Sequence, residues 1–276
     1  MQVGIIGLGY VGSAIKITLQ SIINKNLIHT YDINGSGNSD SVDKLAKNSD
    51  IIFICVPTPV KSDGACDTSI IMDVLSLLSK SSHNFDDKII AIKSTLSIGS
   101  TNYFKNNFEN LRIVFNPEFL RKVSYVEDFA NQNRIIIGGD LDDSIILKEF
   151  YKKIFKDVPI FLTDSKTAET VKYVTNSFLS VKVAYANEIA SLCFKKNIDY
   201  DEVIKLAILD KRLGHSHWAV PGPDKKKGFG GTCFPKDILS LINQFDTDKV
   251  DSYILKAAWE RNSKLDRPKE EIDLKN

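Results

Sequence analysis

The chain has 276 residues, of which 43% are hydrophobic and 26% charged, and its formal net charge at pH 7 is +1. This composition is typical of a globular protein with one large or two modest domains, and the near-zero charge excludes a global basic field for nucleic acid. The sequence has no run of about 18 apolar residues for a membrane span. Its N-terminus, MQVGIIGLGYVG, does not resemble a signal peptide, so we expect a cytoplasmic protein without membrane contact.

Residues 2–162 alternate apolar runs with amphipathic stretches. The near-continuous Ile and Val runs are typical of strands covered on both faces, and regular alternation with helices predicts a parallel sheet. The predicted strands are Val3–Ile6, Leu27–Tyr31, Ile51–Val56, Ile89–Lys93, Arg112–Phe115, Arg134–Ile137 and Ile160–Leu162. The predicted helices between them include Gly12–Ile23, Thr68–Lys80 and Ser144–Phe155.

From residue 163 onward the pattern is helical. A long stretch without Gly or Pro predicts a helix over Ser165–Lys196, and Asp199 is a plausible N-cap for the next helix. Helices are also predicted near Pro235–Asn243 and Asp248–Leu265. The fold class is therefore α/β: a Rossmann-like, doubly wound parallel sheet over 1–162, followed by an all-helical domain over 163–276.

The first predicted strand leads into Gly7-Leu8-Gly9-Tyr10-Val11-Gly12, a GxGxxG pattern. In a dinucleotide-binding turn, Gly7 permits the tight turn, Gly9 lets the backbone approach a pyrophosphate, and Gly12 allows close helix–strand packing. Asp32 ends the next strand, where a carboxylate binds the adenosine ribose and disfavours a 2′-phosphate. The pattern favours NAD over NADP. A glycine-rich turn in another doubly wound protein is the alternative.

Three further segments follow predicted strands, and ligands of such sheets bind at the carboxyl ends of strands. They are Cys55-Val56-Pro57-Thr58-Pro59, Ser94-Thr95 and Asn116-Pro117-Glu118-Phe119-Leu120-Arg121. Each threonine could instead cap a turn, and Glu118 could be structural. Glu169, Lys172 and Asn176 share one helix face, which indicates either a surface stripe or a group that holds a substrate oxygen.

The segment Gly228–Asp237, GFGGTCFPKD, carries the strongest chemical signal. Pro235 suits the first position of a helix, so Cys233 is predicted just before a helix N-terminus with Lys236 one turn later. Both features favour a thiolate. The other cysteines are Cys55, Cys66 and Cys193, and the four show no CxxC pair and no metal-ligand spacing. We predict reduced thiols, no metal, and inert core positions for Cys55 and Cys193.

Together these segments resemble the UDP-glucose/GDP-mannose dehydrogenase family. GLGYVG, CVPTP, KSTLSIGS, NPEFLR, ETVKYVTNSFLSVKVAYANEIA and GFGGTCFPKD occur in that family's order and span nearly the whole chain. The resemblance implies oxidation of a nucleotide sugar, most often UDP-glucose to UDP-glucuronate, with NAD. It also implies a homodimer built on the helix that starts at Ser165.

The family's site residues transfer to matching positions. Cys233 matches the nucleophile, which forms a thiohemiacetal and then a thioester. Lys172 and Asn176 match the pair that stabilises the oxyanion, Asp237 the carboxylate that assists proton transfer, and Glu118 and Thr95 the residues of the hydrolytic water. Cofactor-binding positions are Gly7, Gly9, Tyr10, Val11, Gly12, Asp32, Pro57, Thr58, Thr95 and Lys236. Substrate-binding positions are Glu118, Phe119, Leu120, Lys172, Asn176, Gly230 and Arg212, of which Arg212 matches a contact to a neighbouring subunit's substrate.

The chain departs from the family in three places. It ends where a third, UDP-binding domain usually starts, so we expect a short form whose substrate site either is more open or is completed by another chain. The segment between Asp32 and Asp50 is short, and Lys122 replaces the second acid of NPEFLRE. A basic loop, Val220–Lys227, is either a solvated loop or a diphosphate clamp.

Three functions therefore compete. A four-electron nucleotide-sugar dehydrogenase would form two NADH per substrate. A two-electron hydroxyacid dehydrogenase would not need Cys233. A binding module for NAD or a nucleotide sugar would turn over only with a partner chain.

Overall fold

The computed structural model describes residues 1–268, so the last part of the predicted 163–276 domain lies outside the described residues. The chain divides into two compact units. The first unit contains residues 1–58 and 67–172, and the second contains 59–66 and the chain from Tyr173 onward. The boundary between the units lies between Lys172 and Tyr173, inside a helix, and not at residue 163. The short segment 59–66 belongs to the second unit although the residues on both sides of it belong to the first.

The first unit is built on a seven-stranded sheet of order β2-β1-β3-β4-β5-β6-β7. All seven predicted strands are present; the bounds of β1 are as predicted, and the ends of the other strands differ by at most two residues. Their bounds are β1 Val3–Ile6, β2 Ile28–Tyr31, β3 Ile51–Ile54, β4 Ile89–Ile92, β5 Ile113–Phe115, β6 Ile135–Gly138 and β7 Ile160–Thr163.

One part of the parallel-sheet prediction is wrong. The strands β1 to β5 are parallel, but β6 pairs antiparallel to β5 through Phe115 and Gly138, and β7 then pairs parallel to β6. The connection after β5 carries a short helix, and the chain re-enters the sheet at the end where β5 stops. The amino-acid composition of β6 does not indicate its direction relative to β5, so the sequence could not predict this antiparallel pair.

The helices of the first unit cover both faces of this sheet. They are α1 Tyr10–Gln20, α2 Val42–Lys47, α3 Ser69–Ser79, α4 Ser100–Asn107, α5 Tyr125–Ala130 and α6 Leu141–Ile154. Successive residues of β3 alternate between two cores: Ile52 and Ile54 belong to one, and Ile51 and Phe53 to the other. Burial on both faces explains why the five inner strands, β1 and β3 to β6, contain no polar side chain, whereas the edge strands β2 and β7 do.

The long helix α7 runs over Ser165–Lys196, as predicted, and its residues from Tyr173 onward belong to the second unit. That unit continues with α8 Tyr200–Ala207, α9 Phe234–Thr247, α10 Tyr253–Arg261 and a π-helical turn at Asn262–Asp266. The Asp199 side chain caps α8 by accepting from the amides of Asp201 and Glu202. No helix among residues 1–268 is long and apolar enough to cross a membrane.

Candidate active site

The GxGxxG turn joins β1 to α1, and its three glycines differ in backbone conformation and in the space around them. Gly7 has a φ of 90°, in the left-handed region that favours glycine. A Cβ atom at Gly12 would overlap the carbonyl oxygen of Gly7, whereas a Cβ at Gly9 would meet nothing within 4 Å. Gly7 and Gly12 thus hold the turn closed, and Gly9 leaves open space at the start of α1.

Asp32 lies at the carboxyl end of β2, beside this turn. Its Oδ2 accepts a hydrogen bond of 2.6 Å from the amide of Leu8, and its Oδ1 accepts from the amide of Asn34 at 3.1 Å. The first turn of α1 contains no acidic residue, so the positive end of its helix dipole is not offset there. An open backbone at Gly9, a helix N-terminus and a fixed carboxylate fit the pyrophosphate and ribose of NAD.

The segments after β3 and β4 lie at the same edge of the sheet. Thr58 is 5% exposed and Thr95 is 8% exposed, while Pro57 is exposed. The Ser94 hydroxyl donates to the carbonyl oxygen of Val56 at 2.6 Å and so ties the two strand ends together. The structure therefore brings the predicted threonine segments to one edge, next to the glycine turn.

Lys172 and Glu118 form a buried ion pair in the first unit. The Lys172 Nζ donates to Glu118 Oε1 at 2.8 Å and to the Glu118 carbonyl oxygen at 2.7 Å, and its side chain is 3% exposed. Glu118 Oε2 accepts from the amide of Leu120 at 2.6 Å. The Phe119 ring lies 5.5 Å from the Lys172 Nζ. The NPEF segment is thus held by the lysine that the resemblance assigns to the oxyanion.

Glu169 belongs to a different contact from its neighbours on α7. It is fully buried, and its carboxylate accepts from the amides of Gly99 and Thr101 and from the Thr101 hydroxyl, at 2.5, 2.8 and 2.6 Å. Burial raises the pKa of Glu169, against the effect of these hydrogen bonds. Glu169, Lys172 and Asn176 are all buried, so the surface-stripe explanation is wrong. Glu169 holds the start of α4.

Sequence reasoning missed a polar group around Lys93. The Lys93 Nζ donates to Asn116 Oδ1 at 3.0 Å, Tyr151 donates its hydroxyl to the same oxygen at 2.6 Å, and Asn116 Nδ2 donates to Ile136 O at 2.6 Å. Burial lowers the pKa of Lys93 to about 8. The available signal was a lysine that directly follows a fully apolar strand, since lysine is rarely buried without a partner.

In the second unit, Cys233 is the N-cap residue of α9, and its thiol is exposed. The helix begins at Phe234, so Pro235 takes its second position rather than the predicted first. The Thr232 hydroxyl lies 3.8 Å from the sulfur. Cys66 and Cys193 are buried, and burial raises the pKa of the half-buried Cys55 to about 12. Cys233 is therefore the thiol best placed to react.

Lys236, Asp237 and Asn176 form a network behind this thiol. Asp237 is fully buried; its Oδ1 accepts from the Lys236 Nζ and its Oδ2 from the Asn176 amide nitrogen, both at 2.6 Å. Burial acts to lower the pKa of Lys236, but the Asp237 charge and the nearby Cys66 and Cys233 raise it overall. Lys236 is thus kept as a cation one turn from Cys233.

Two further predicted substrate residues, Arg212 and Gly230, belong to this unit. Arg212 is 88% exposed, and its guanidinium binds the Asp210 carboxylate two residues earlier. Gly230 is half-buried in the loop before Cys233. The structure therefore places Gly230 beside the nucleophile segment and leaves Arg212 on the surface of the chain.

Two protein-family models match this chain, one over its α/β part and one over its helical part. Residues 34–158 match the model of the UDP-glucose/GDP-mannose dehydrogenase family, NAD binding domain, and residues 166–264 match that family's central domain. The matched ranges contain Glu118, Lys172, Asn176 and Cys233. The glycine turn and Asp32 precede the first matched range, so their assignment depends on the geometry described above.

The chain is 39% identical over 222 residues to a UDP-glucose 6-dehydrogenase of Rickettsia prowazekii, covering 78% of this chain and 50% of the relative. It is 30% identical to the putative UDP-glucose 6-dehydrogenase YtcA of Bacillus subtilis, covering 95% of this chain and 67% of the relative. The solved UDP-glucose dehydrogenase of Pyrobaculum islandicum superposes with a TM-score of 0.83 at 26% identity, over 95% of this chain and 68% of that one. The chain spans about half the length of the rickettsial relatives. The chain belongs to the UDP-glucose/GDP-mannose dehydrogenase family.

Proposed function

We propose that this chain carries out the NAD-dependent, four-electron oxidation of a nucleotide sugar, with UDP-glucose as the first candidate and UDP-glucuronate as its product. The observation that carries the proposal is the exposed Cys233 thiol at the N-terminus of α9, one turn from Lys236, which is mostly buried and is paired with Asp237. A two-electron dehydrogenase has no need for such a thiol. A four-electron oxidation without aldehyde release needs a covalent attachment point.

Cys233 is suited to that role because its thiolate is the reactive form. The partial positive charge at the start of a helix and a nearby ammonium both stabilise a thiolate. The 14-residue helix α9 supplies the first and Lys236 the second. The first turn of α9 also contains Asp237, whose carboxylate is paired with Lys236 and Asn176.

The proposed reaction has four steps: two hydride losses, the addition of Cys233 between them, and a final hydrolysis. Carbon 6 of the sugar loses a hydride, and its hydroxyl loses a proton, to give an aldehyde. The Cys233 thiolate adds to the aldehyde carbon while the oxygen takes up a proton, which gives a thiohemiacetal. Loss of a second hydride from that carbon and of the proton from its oxygen leaves a thioester. Water then cleaves the carbon–sulfur bond, which releases the carboxylic acid and regenerates the thiol. NAD, when bound, supplies the acceptor for each hydride.

The remaining residues act on charge and protons. Donors directed at a developing oxyanion are among the largest contributions to catalysis, and we assign that role to Lys172 and Asn176. The Asn176 amide is fixed by its hydrogen bond to Asp237. Asp237 assists proton transfer through water, and Glu118 and Thr95 serve the hydrolytic water. The cofactor contacts are those of the glycine turn, Asp32, Pro57, Thr58 and Lys236.

We also propose that the chain forms a homodimer through α7. Val174, Phe178, Tyr185 and Leu192 lie on one face of this helix and are each more than half exposed. Four large apolar side chains in one stripe are typical of a protein–protein interface. Tyr173, on another side of α7, is fully buried within its own chain, so this exposed stripe is the part of the helix that is available to a second copy.

The test is to supply NAD and UDP-glucose and to count the NADH formed per sugar consumed. Cys233→Ser is compared with Cys193→Ser, which changes a buried thiol of α7. Two NADH per sugar in the wild type and in Cys193→Ser, with loss in Cys233→Ser, supports the proposal. One NADH per sugar that is insensitive to Cys233→Ser indicates a two-electron dehydrogenase. Binding of both ligands without turnover, across a panel of UDP- and GDP-sugars, indicates a binding module.

A further inference from the structure

The glycine segment before Cys233 is anchored at its start by Phe229. This side chain is 3% exposed and packs in the core of the second unit with Ala184, Ile238 and Ala258. Its ring lies 6.3 Å from that of Trp259 on α10. A fixed phenylalanine therefore precedes the loop that ends at the nucleophile.

The backbone of Phe229 is held as firmly as its side chain, through Asn262 on the π-helical turn. Asn262 Oδ1 accepts from the Phe229 amide at 2.8 Å, and Asn262 Nδ2 donates to the Phe229 carbonyl oxygen at 3.0 Å. Asn262 is 2% exposed. The side-chain amide thus pairs with both polar groups of one residue, and the loss of either bond would leave a buried group unsatisfied.

Gly228 and Arg267 complete this anchor. Gly228 has a φ of 65°, and a Cβ atom there would overlap Asn262 Oδ1. Arg267 Nη2 donates to the Gly228 carbonyl oxygen at 3.1 Å and to Asp224 Oδ2 at 2.6 Å, and the residue is 8% exposed. The segment Asn262–Arg267 therefore grips two consecutive residues before the loop.

Only Gly230, Gly231 and Thr232 separate Phe229 from Cys233. Gly231 has a φ of 76°, and glycine resists conformational change less than any other residue. The thiol position is consequently set by the two ends of this short loop. One end is α9, where the Asp237 amide donates to the Cys233 carbonyl oxygen at 2.8 Å, and the other end is Phe229.

We propose that Asn262 is a positioning residue for the Cys233 thiol: by clamping the Phe229 backbone, it keeps the sulfur at the N-terminus of α9. The inference rests on the proposed function only in that Cys233 is the nucleophile. Its physical content is the reactivity of one thiol, which can be measured without substrate.

The test is the rate of Cys233 alkylation by iodoacetamide from pH 6 to 10, read by mass spectrometry of the peptide that contains Cys233. The variants are Asn262→Ala, which removes both hydrogen bonds, and Asn262→Asp, which keeps an acceptor for the Phe229 amide. Asn187→Ala is the matched control, since Asn187 is also 2% exposed and donates to a backbone carbonyl of the same unit. Thermal unfolding of each variant is measured alongside.

The midpoint is the pH at which the alkylation rate is half of its maximum. We expect Asn262→Ala to raise this midpoint by about one pH unit, which lowers the rate at pH 7 by about tenfold. Asn262→Asp should shift it less, and Asn187→Ala should leave it in place even where the melting temperature falls. An unchanged midpoint in folded Asn262→Asp and Asn262→Ala would overturn the inference, as would an equal shift in Asn187→Ala. If Asn262→Ala does not fold, the alkylation midpoint of Asn262→Asp alone tests the inference. Absence of dehydrogenase activity would count against the proposed function and leave this result intact.

Discussion

The pairing of Lys236 with Asp237 gives the sharpest stability prediction. The two charges lie 2.6 Å apart, with side chains 13% and 1% exposed. Removing one member of a buried ion pair leaves an uncompensated charge and costs about 3–5 kcal/mol, whereas removing both costs less than the sum of the two single losses. The size of the effect therefore depends on which partner remains.

In Lys236→Met, the fully buried Asp237 carboxylate keeps its hydrogen bond from Asn176 but loses its cation. We therefore expect the free energy of unfolding to fall by about 3–5 kcal/mol. Asp237→Ala leaves Lys236, which keeps some access to water, and should cost about 2–3 kcal/mol. In the double variant no unpaired charge remains. The three values should then show a coupling of about 2 kcal/mol between the two sites.

The assay is urea-induced unfolding of the wild type, both single variants and the double variant at pH 7.5. Thermal scans should show a fall of roughly 10 °C for Lys236→Met, at about 2–4 °C per kcal/mol for a chain of this size. Because the pKa of Lys236 is raised by its partners, its contribution is complete below the ordinary lysine pKa of about 10.4 and is lost as the pH rises through the raised value. Additive single effects, within about 0.5 kcal/mol, would refute the reasoning.

Three further predictions test other parts of the molecule. Gly12→Ala should lower the melting temperature because its Cβ would overlap the Gly7 backbone, whereas Gly9→Ala should keep the melting temperature and weaken NAD binding, as measured by calorimetry. Lys93→Met removes a buried cation whose pKa is about 8; the wild type should gain stability relative to this variant between pH 8 and about 10.4, by at most about 1.4 kcal/mol per pH unit, and a flat difference in urea titrations would contradict this. Phe178→Glu should reduce the mass measured by light scattering from dimer to monomer, and an unchanged mass would move the interface away from α7.

The sequence is most informative where burial imposes a continuous pattern. The Ile and Val runs of β1 and β3 are read correctly because strands buried on both faces exclude polar residues. The bounds of α7 are also predicted, since its 32 residues contain neither Gly nor Pro. The need for glycine at Gly7 and Gly12 is predictable because the turn imposes a positive φ at the first and close backbone contact at the second.

Contacts between distant segments are not encoded in this way. The Glu169 carboxylate accepts a hydrogen bond from the amide of Gly99, which lies 70 residues earlier in the chain. No local sequence pattern indicates this partner. The antiparallel entry of β6 depends on where the preceding connection returns, which strand composition does not record. The ion pair of Lys172 with Glu118 likewise requires the folded chain, although each residue could be selected singly from its motif.

The central claim is that Cys233 bonds covalently to the substrate during the oxidation. The most direct test is peptide mass spectrometry after an acid quench of the protein with NAD and UDP-glucose, with Glu118→Gln included to slow hydrolysis. The account predicts an acyl adduct on the Cys233 peptide that hydroxylamine removes and that Cys233→Ala lacks. Formation of two NADH per sugar by Cys233→Ala, or an adduct on another residue, would contradict it.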